Sequence, residues 1–186
     1  MKFNRCDLIW LAVFAIGCSR QTTVPPPLSN PLQPMTVSQL TDPGKTLSAA
    51  RTTDEPAVKD LLIMMSNVPQ DFDGDGRFDG YVIRVMMLNS DGRPVRQVGL
   101  LRFELIPDQR TGHVMPITVW EASPQRLPSD WRETRILPGY AFFLRWLPQH
   151  EPKQEDFLMK TTFWPLDGRG PISKSLLFRS MVKNKG

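Results

Sequence analysis

The stretch Asp71-Phe72-Asp73-Gly74-Asp75-Gly76-Arg77-Phe78-Asp79-Gly80 constrains this chain more than any other. Its carboxylates stand at positions 1, 3, 5 and 9, with glycines at 4, 6 and 10. Four such groups held close together repel one another, and protonation of one becomes favourable unless a cation sits among them. The spacing suits a hard divalent ion: Asp71, Asp73, Asp75 and Asp79 converge on one centre if the chain bends sharply at Gly76, with the carbonyl of Arg77 as a further ligand. Calcium is the expected ion, in a structural role. The alternative is a metal-free turn, because Asp and Gly also dominate ordinary loops.

The residues beyond the loop decide its surroundings. An EF-hand needs a bidentate Glu at position 12 and a helix after it, whereas this chain has Val82 within the β-prone run Tyr81–Leu88. The pattern Asp-x-Asp-Gly-Asp-Gly-x-x-Asp between two strand-like segments resembles the calcium loops of FG-GAP repeats and, more distantly, dockerin loops. The resemblance covers Asp71 to about Ile83 and implies Asp71, Asp73, Asp75, Asp79 and the backbone of Arg77 as ligands. A propeller is not implied, since only one copy is present.

Short strand patterns fill the rest of the region from residue 57 to 182. The run Leu61–Met65 reads as a strand entering the loop, and its helical spacing with Val58 leaves a helix open. Tyr81–Leu88 ends at Asn89-Ser90-Asp91-Gly92-Arg93-Pro94, whose turn chemistry predicts a hairpin into Val98–Ile106. There Leu101, Phe103 and Leu105 alternate with Arg102 and Glu104, so one face is buried. Further strands are expected over 116–121, 139–147, 157–164 and 175–181, with 123–135 as a surface excursion. Tyr140, Phe142, Leu144 and Trp146 share one face of the fifth strand, opposite Phe143 and Arg145. Seven strands without periodic helices predict an all-β, antiparallel two-sheet β-sandwich, immunoglobulin-like or transthyretin-like, with a partly closed barrel as the other solution.

Upstream lies an export address. Lys2 and Arg5 precede nine apolar residues, Leu8–Ile16, too few to span a bilayer, and Gly17-Cys18 comes next. The tetrad Ala15-Ile16-Gly17-Cys18 resembles the bacterial lipobox, although Ala15 stands where Leu is usual. The resemblance implies that residues 1–17 are removed and that Cys18 carries acyl chains holding the protein at the cell envelope. By the same analogy Ser19 is compatible with the outer membrane. A conventional cleaved signal is the alternative. The only cysteines, Cys6 and Cys18, are thereby discarded and acylated, so no disulfide is expected in the domain. Residues 18–56, rich in Pro, Ser and Thr, read as a disordered tether, or else as a pro-region docked on the domain. Residues 183–186 form a basic tail, which is solvated or leans on anionic lipid. This order of anchor, spacer and strand-rich domain resembles bacterial lipoproteins of the same design, a likeness that brings no known activity.

Charge and chemistry narrow the function. Without residues 1–17 the chain has 21 basic and 18 acidic side chains, too balanced for nucleic acid. His113 and His150 lack a partner at zinc spacing and read as loop residues, and no nucleophile motif is present. Glu104, Glu121 and Glu133 are the carboxylates from which an acid/base pair could be drawn, without any spacing that singles two of them out. A noncatalytic domain with a structural or protein-interaction role is expected. A carbohydrate or cell-wall glycan-binding module is the alternative, with Trp131 as the exposed stacking residue, Trp120 and Trp146 in the core and Trp164 unassigned.

Overall fold

The computed structural model describes residues 30–36, 39–40, 56–107, 116, 118–134, 137–146 and 156–179. The expected signal and Cys18, most of the Pro-rich region, both histidines and the basic tail lie outside them. Among the described residues, nine strands and one short helix run in order: β1 Asp60–Met65, β2 Gly80–Leu88, β3 Pro94–Val95, β4 Gly99–Pro107, β5 Thr118–Ala122, α1 Leu127–Asp130, β6 Trp131–Arg132, β7 Gly139–Arg145, β8 Asp156–Pro165 and β9 Ile172–Arg179.

They form an antiparallel two-sheet sandwich. One sheet runs β1-β2-β7-β6, with β3 also beside β2, and the other runs β5-β4-β8-β9. Alternation in the sequence becomes burial here: Leu101, Phe103 and Leu105 of β4 face Phe142 and Leu144 of β7 in a shared core, all almost wholly buried. Phe103 and Phe142 meet with ring centroids 5.2 Å apart. Trp120 and Trp146 are core residues as expected, and Trp120 Nε1 donates to the Arg145 carbonyl at 2.6 Å, stitching one sheet to the other.

Several expectations are corrected. The turn after β2 leads only to the two-residue β3, and the chain then crosses to the second sheet, so that β4 is not the hairpin partner of β2. Gln97 makes that corner: its carbonyl accepts from Tyr140 Oη at 2.8 Å, and its side chain reaches Asp167 and the Val58 amide. Residues 123–135 are more than an excursion, because α1 buries Leu127 and Asp130 completely and β6 adds to the first sheet.

The largest correction concerns the tether. Residues 30–36 are docked on the sandwich, as the pro-region alternative allows, along the gap between β7 and β5. Leu32 pairs in parallel with Leu144, its amide donating to the Phe143 carbonyl at 2.7 Å and its carbonyl accepting from Arg145 N at 3.1 Å. Met35 N donates to the Val119 carbonyl of β5 at 2.8 Å, so one short segment satisfies edges of both sheets. Leu32 is only 4% exposed and belongs to the core. Arg126, paired with the buried Asp130 at 2.8 Å, donates to the Asn30 carbonyl.

Candidate cation-binding loop

The acidic loop connects β1 to β2 and is closed at its neck by backbone bonds. Gln70 N donates to Gly80 O at 2.8 Å, and Asp79 N donates to Gln70 O at 2.9 Å. Phe72 folds back on Phe143 of β7, with centroids 4.5 Å apart. Gly80 admits this packing, because a Cβ there would collide with the Phe72 ring and the Leu144 carbonyl.

Within the loop the carboxylates cap the backbone. Asp71 accepts from Gly74 N at 2.6 Å and from Gly76 N at 2.8 Å, while Asp75 accepts from Arg77 N at 2.8 Å. Gly74 and Gly76 have φ of 79° and 85°, a region in which a side chain would be strained. The bend expected at Gly76 is therefore present. Asp71, Asp73 and Asp79 each offer an oxygen, and these oxygens lie within 4.8 Å of one another. Asp75 is not among them, and its carboxylate is engaged with the Arg77 amide.

The cluster's cationic neighbour is one that sequence reasoning missed. Arg145, at the end of β7 and in register with Gly80, pairs with Asp73 and lies 3.2 Å from Asp79 Oδ2. Asp79 Oδ2 is buried and accepts no well-aligned hydrogen bond among the described residues. Burial raises the Asp79 carboxyl above its ordinary value, reinforced by Asp73 and Asp71 and opposed by the Phe72 amide and Arg145. Asp71 is held below its ordinary value, chiefly by the Gly76 amide. Three carboxylates and a sharp bend fit a hard cation, provided that Arg145 gives way.

Trp131 is not an open platform. It is partly buried, meets Tyr140 edge-on at 5.0 Å, and has the Arg96 guanidinium 5.9 Å from its ring centre. Trp164 stacks under Arg102 at 5.0 Å. Glu121 and Glu104 are tied to Arg102 at 2.6 Å and Lys160 at 3.0 Å, whereas Glu133 lies beside Trp131 Nε1 at 3.4 Å. No described helix is long and apolar enough to cross a membrane. Compared with protein-family models, curated proteins and solved structures, the chain matches none.

Proposed function

We propose that the protein is an exported lipoprotein of the bacterial envelope, anchored through acylated Cys18, whose noncatalytic sandwich serves a structural or protein-interaction role. The observation that carries this reading is the order of Lys2 and Arg5, the apolar run Leu8–Ile16, and Gly17-Cys18 ahead of a Pro-rich region and a single β domain. Each buried methylene of an acyl chain contributes about 0.8 kcal/mol, so several chains on one residue hold where a single chain would not. The test is fractionation. Cys18→Ser should move the protein from the membrane to the soluble fraction, and unchanged membrane retention would defeat the acyl anchor.

The same reading gives the acidic loop one calcium ion, held by Asp71, Asp73 and Asp79. In support stand the convergence of their oxygens and the bend at Gly74 and Gly76. Extracellular modules bind calcium at about 10⁻⁴ to 10⁻³ M, which at millimolar calcium stabilises the fold by about 1 kcal/mol. The glycan alternative draws less support, since Tyr140 and Arg96 already pack on Trp131.

A further inference from the structure

We infer that one end of the sandwich, the end toward which the chain runs N-terminally from Asn30, is a docking face for an anionic phospholipid surface. The setting rests on the acyl anchor at Cys18, but vesicle binding can be measured without that anchor.

The strand register defines the two ends. β2 runs from Gly80 to Leu88 and β7 runs the opposite way, so the acidic loop and Trp146 lie at one end. The turn Asn89–Arg93, the corner at Gln97, α1 and the turn after Pro165 lie at the other. Because Leu32 pairs with Leu144 in parallel, Asn30 points toward this second end, where Arg126 holds its carbonyl. Eleven residues, 19–29, separate Asn30 from Cys18. Fully extended they reach no more than ~40 Å. The docked segment therefore sends the chain off on the side of the second end and leaves that end within this reach of any surface in which Cys18 is embedded.

That end carries the matching charge. Lys59, Arg93, Arg96 and Arg169 are exposed there, with Arg126 and Arg132 half-buried behind them. Of its described acids, Asp60, Asp130 and Asp167 pair with Lys174, Arg126 and Arg169, so those three pairs cancel, and Lys59, Arg93, Arg96 and Arg132 stand against Asp91 and Glu133. The opposite end concentrates Asp71, Asp73, Asp75, Asp79 and Asp156 against Arg77, Arg145 and Arg179, so that without a bound ion its acids outnumber its described bases. Anionic headgroups attract basic side chains within about a Debye length and repel clustered carboxylates, so the molecule is polarised for one orientation.

The chain from Ser19 onward, which retains every residue of the described fold, is mixed with vesicles of phosphatidylcholine alone or with one third phosphatidylglycerol. At low salt, roughly tenfold more protein should sediment with the anionic vesicles, and high salt should abolish the difference. Combined Arg93→Glu, Arg96→Glu and Arg169→Glu should reduce binding to the neutral level, while Arg77→Glu with Arg179→Glu at the other end should not. A dye at Ser90→Cys should transfer energy to a labelled lipid several-fold better than one at Asp75→Cys. Equal sedimentation on both vesicles, equal loss in both reversal variants, or equal transfer from both dyes would overturn the inference. Membrane retention of Cys18→Ser in cells would remove the acyl anchor and leave this result standing.

Discussion

Along the β1/β9 side of the sandwich the gap between sheets is closed by side chains, whereas along the β5/β7 side it is closed by main chain. On the first side Tyr81 meets Phe178 edge-on at 5.4 Å, Ile172 and Leu176 pack on the core, and Lys174 reaches Asp60 at 3.1 Å on the rim. On the second, Leu32 and Met35 lend amides to strands of both sheets, and the Trp120 indole ties β5 to β7. A sandwich side can thus be sealed either by strands rich in apolar residues or by a foreign segment with few. The second solution lets a Pro-rich segment join the fold, because it satisfies backbone edges and adds one buried leucine to the core.

Leu32→Ala gives this comparison its hardest test. Truncating a buried leucine costs about 2–5 kcal/mol, and a value near 2 is expected, since a short segment can let go locally. Denaturant unfolding measures the loss, and proteolysis should newly cut near residue 32. A loss below about 0.5 kcal/mol would make the second side no more than a surface contact.

Calcium sharpens the same contrast at the foot of β7. Adding millimolar calcium should raise the melting temperature by a few degrees, in line with about 1 kcal/mol. Asp73→Ala with Asp79→Ala should erase the shift. Arg145→Gln should enlarge it, because it removes a competing cation and spares the main-chain bonds to Leu32 and Trp120. An identical melt with calcium and with chelator would leave the loop a capped turn.

A smaller effect comes from Asp79. Its raised carboxyl binds a proton more readily in the folded state, so its contribution is complete below the ordinary carboxylate value and fades as pH rises through the raised one. Asp71, held low, contributes in the opposite sense and is lost only as pH falls through its lowered value. Asp79→Asn should therefore remove the fall in metal-free stability between the ordinary and raised values, while the acid-side loss from Asp71 persists. Melts in buffers across that window read both slopes.

Smallest of all is the rim of the β1/β9 side. Lys174→Ala should cost no more than about 0.5 kcal/mol, as exposed ion pairs do. A cost comparable to that of Leu32→Ala would erase the distinction between the two sides.

The sequence makes the strands visible and conceals their partners. Alternation at Leu101, Phe103 and Leu105, and again from Tyr140 to Trp146, reveals which face is buried because side-chain direction is a local property. The turn at Asn89–Arg93 is equally plain, with Asn89 capping the amides of Asp91 and Arg93. That β4 belongs to the opposite sheet depends on Gln97 meeting Asp167 and Tyr140, residues more than 40 positions away. The same holds for the loop: Asp71, Asp73 and Asp79 announce themselves, but the approach of Arg145 depends on its register with Gly80. Trp131 looks exposed between Asp130 and Arg132, yet β6 pairing turns it against Tyr140.

Arg145 stands where these threads cross. Its amide grips Leu32, its carbonyl receives Trp120, and its guanidinium lies among the loop carboxylates. Two of these links belong to the peptide unit and survive any change of side chain, while the third is electrostatic and answers to ions and protons. The side chain can therefore exchange its acidic partners for solvent while the peptide unit goes on joining the docked segment and β5 to β7.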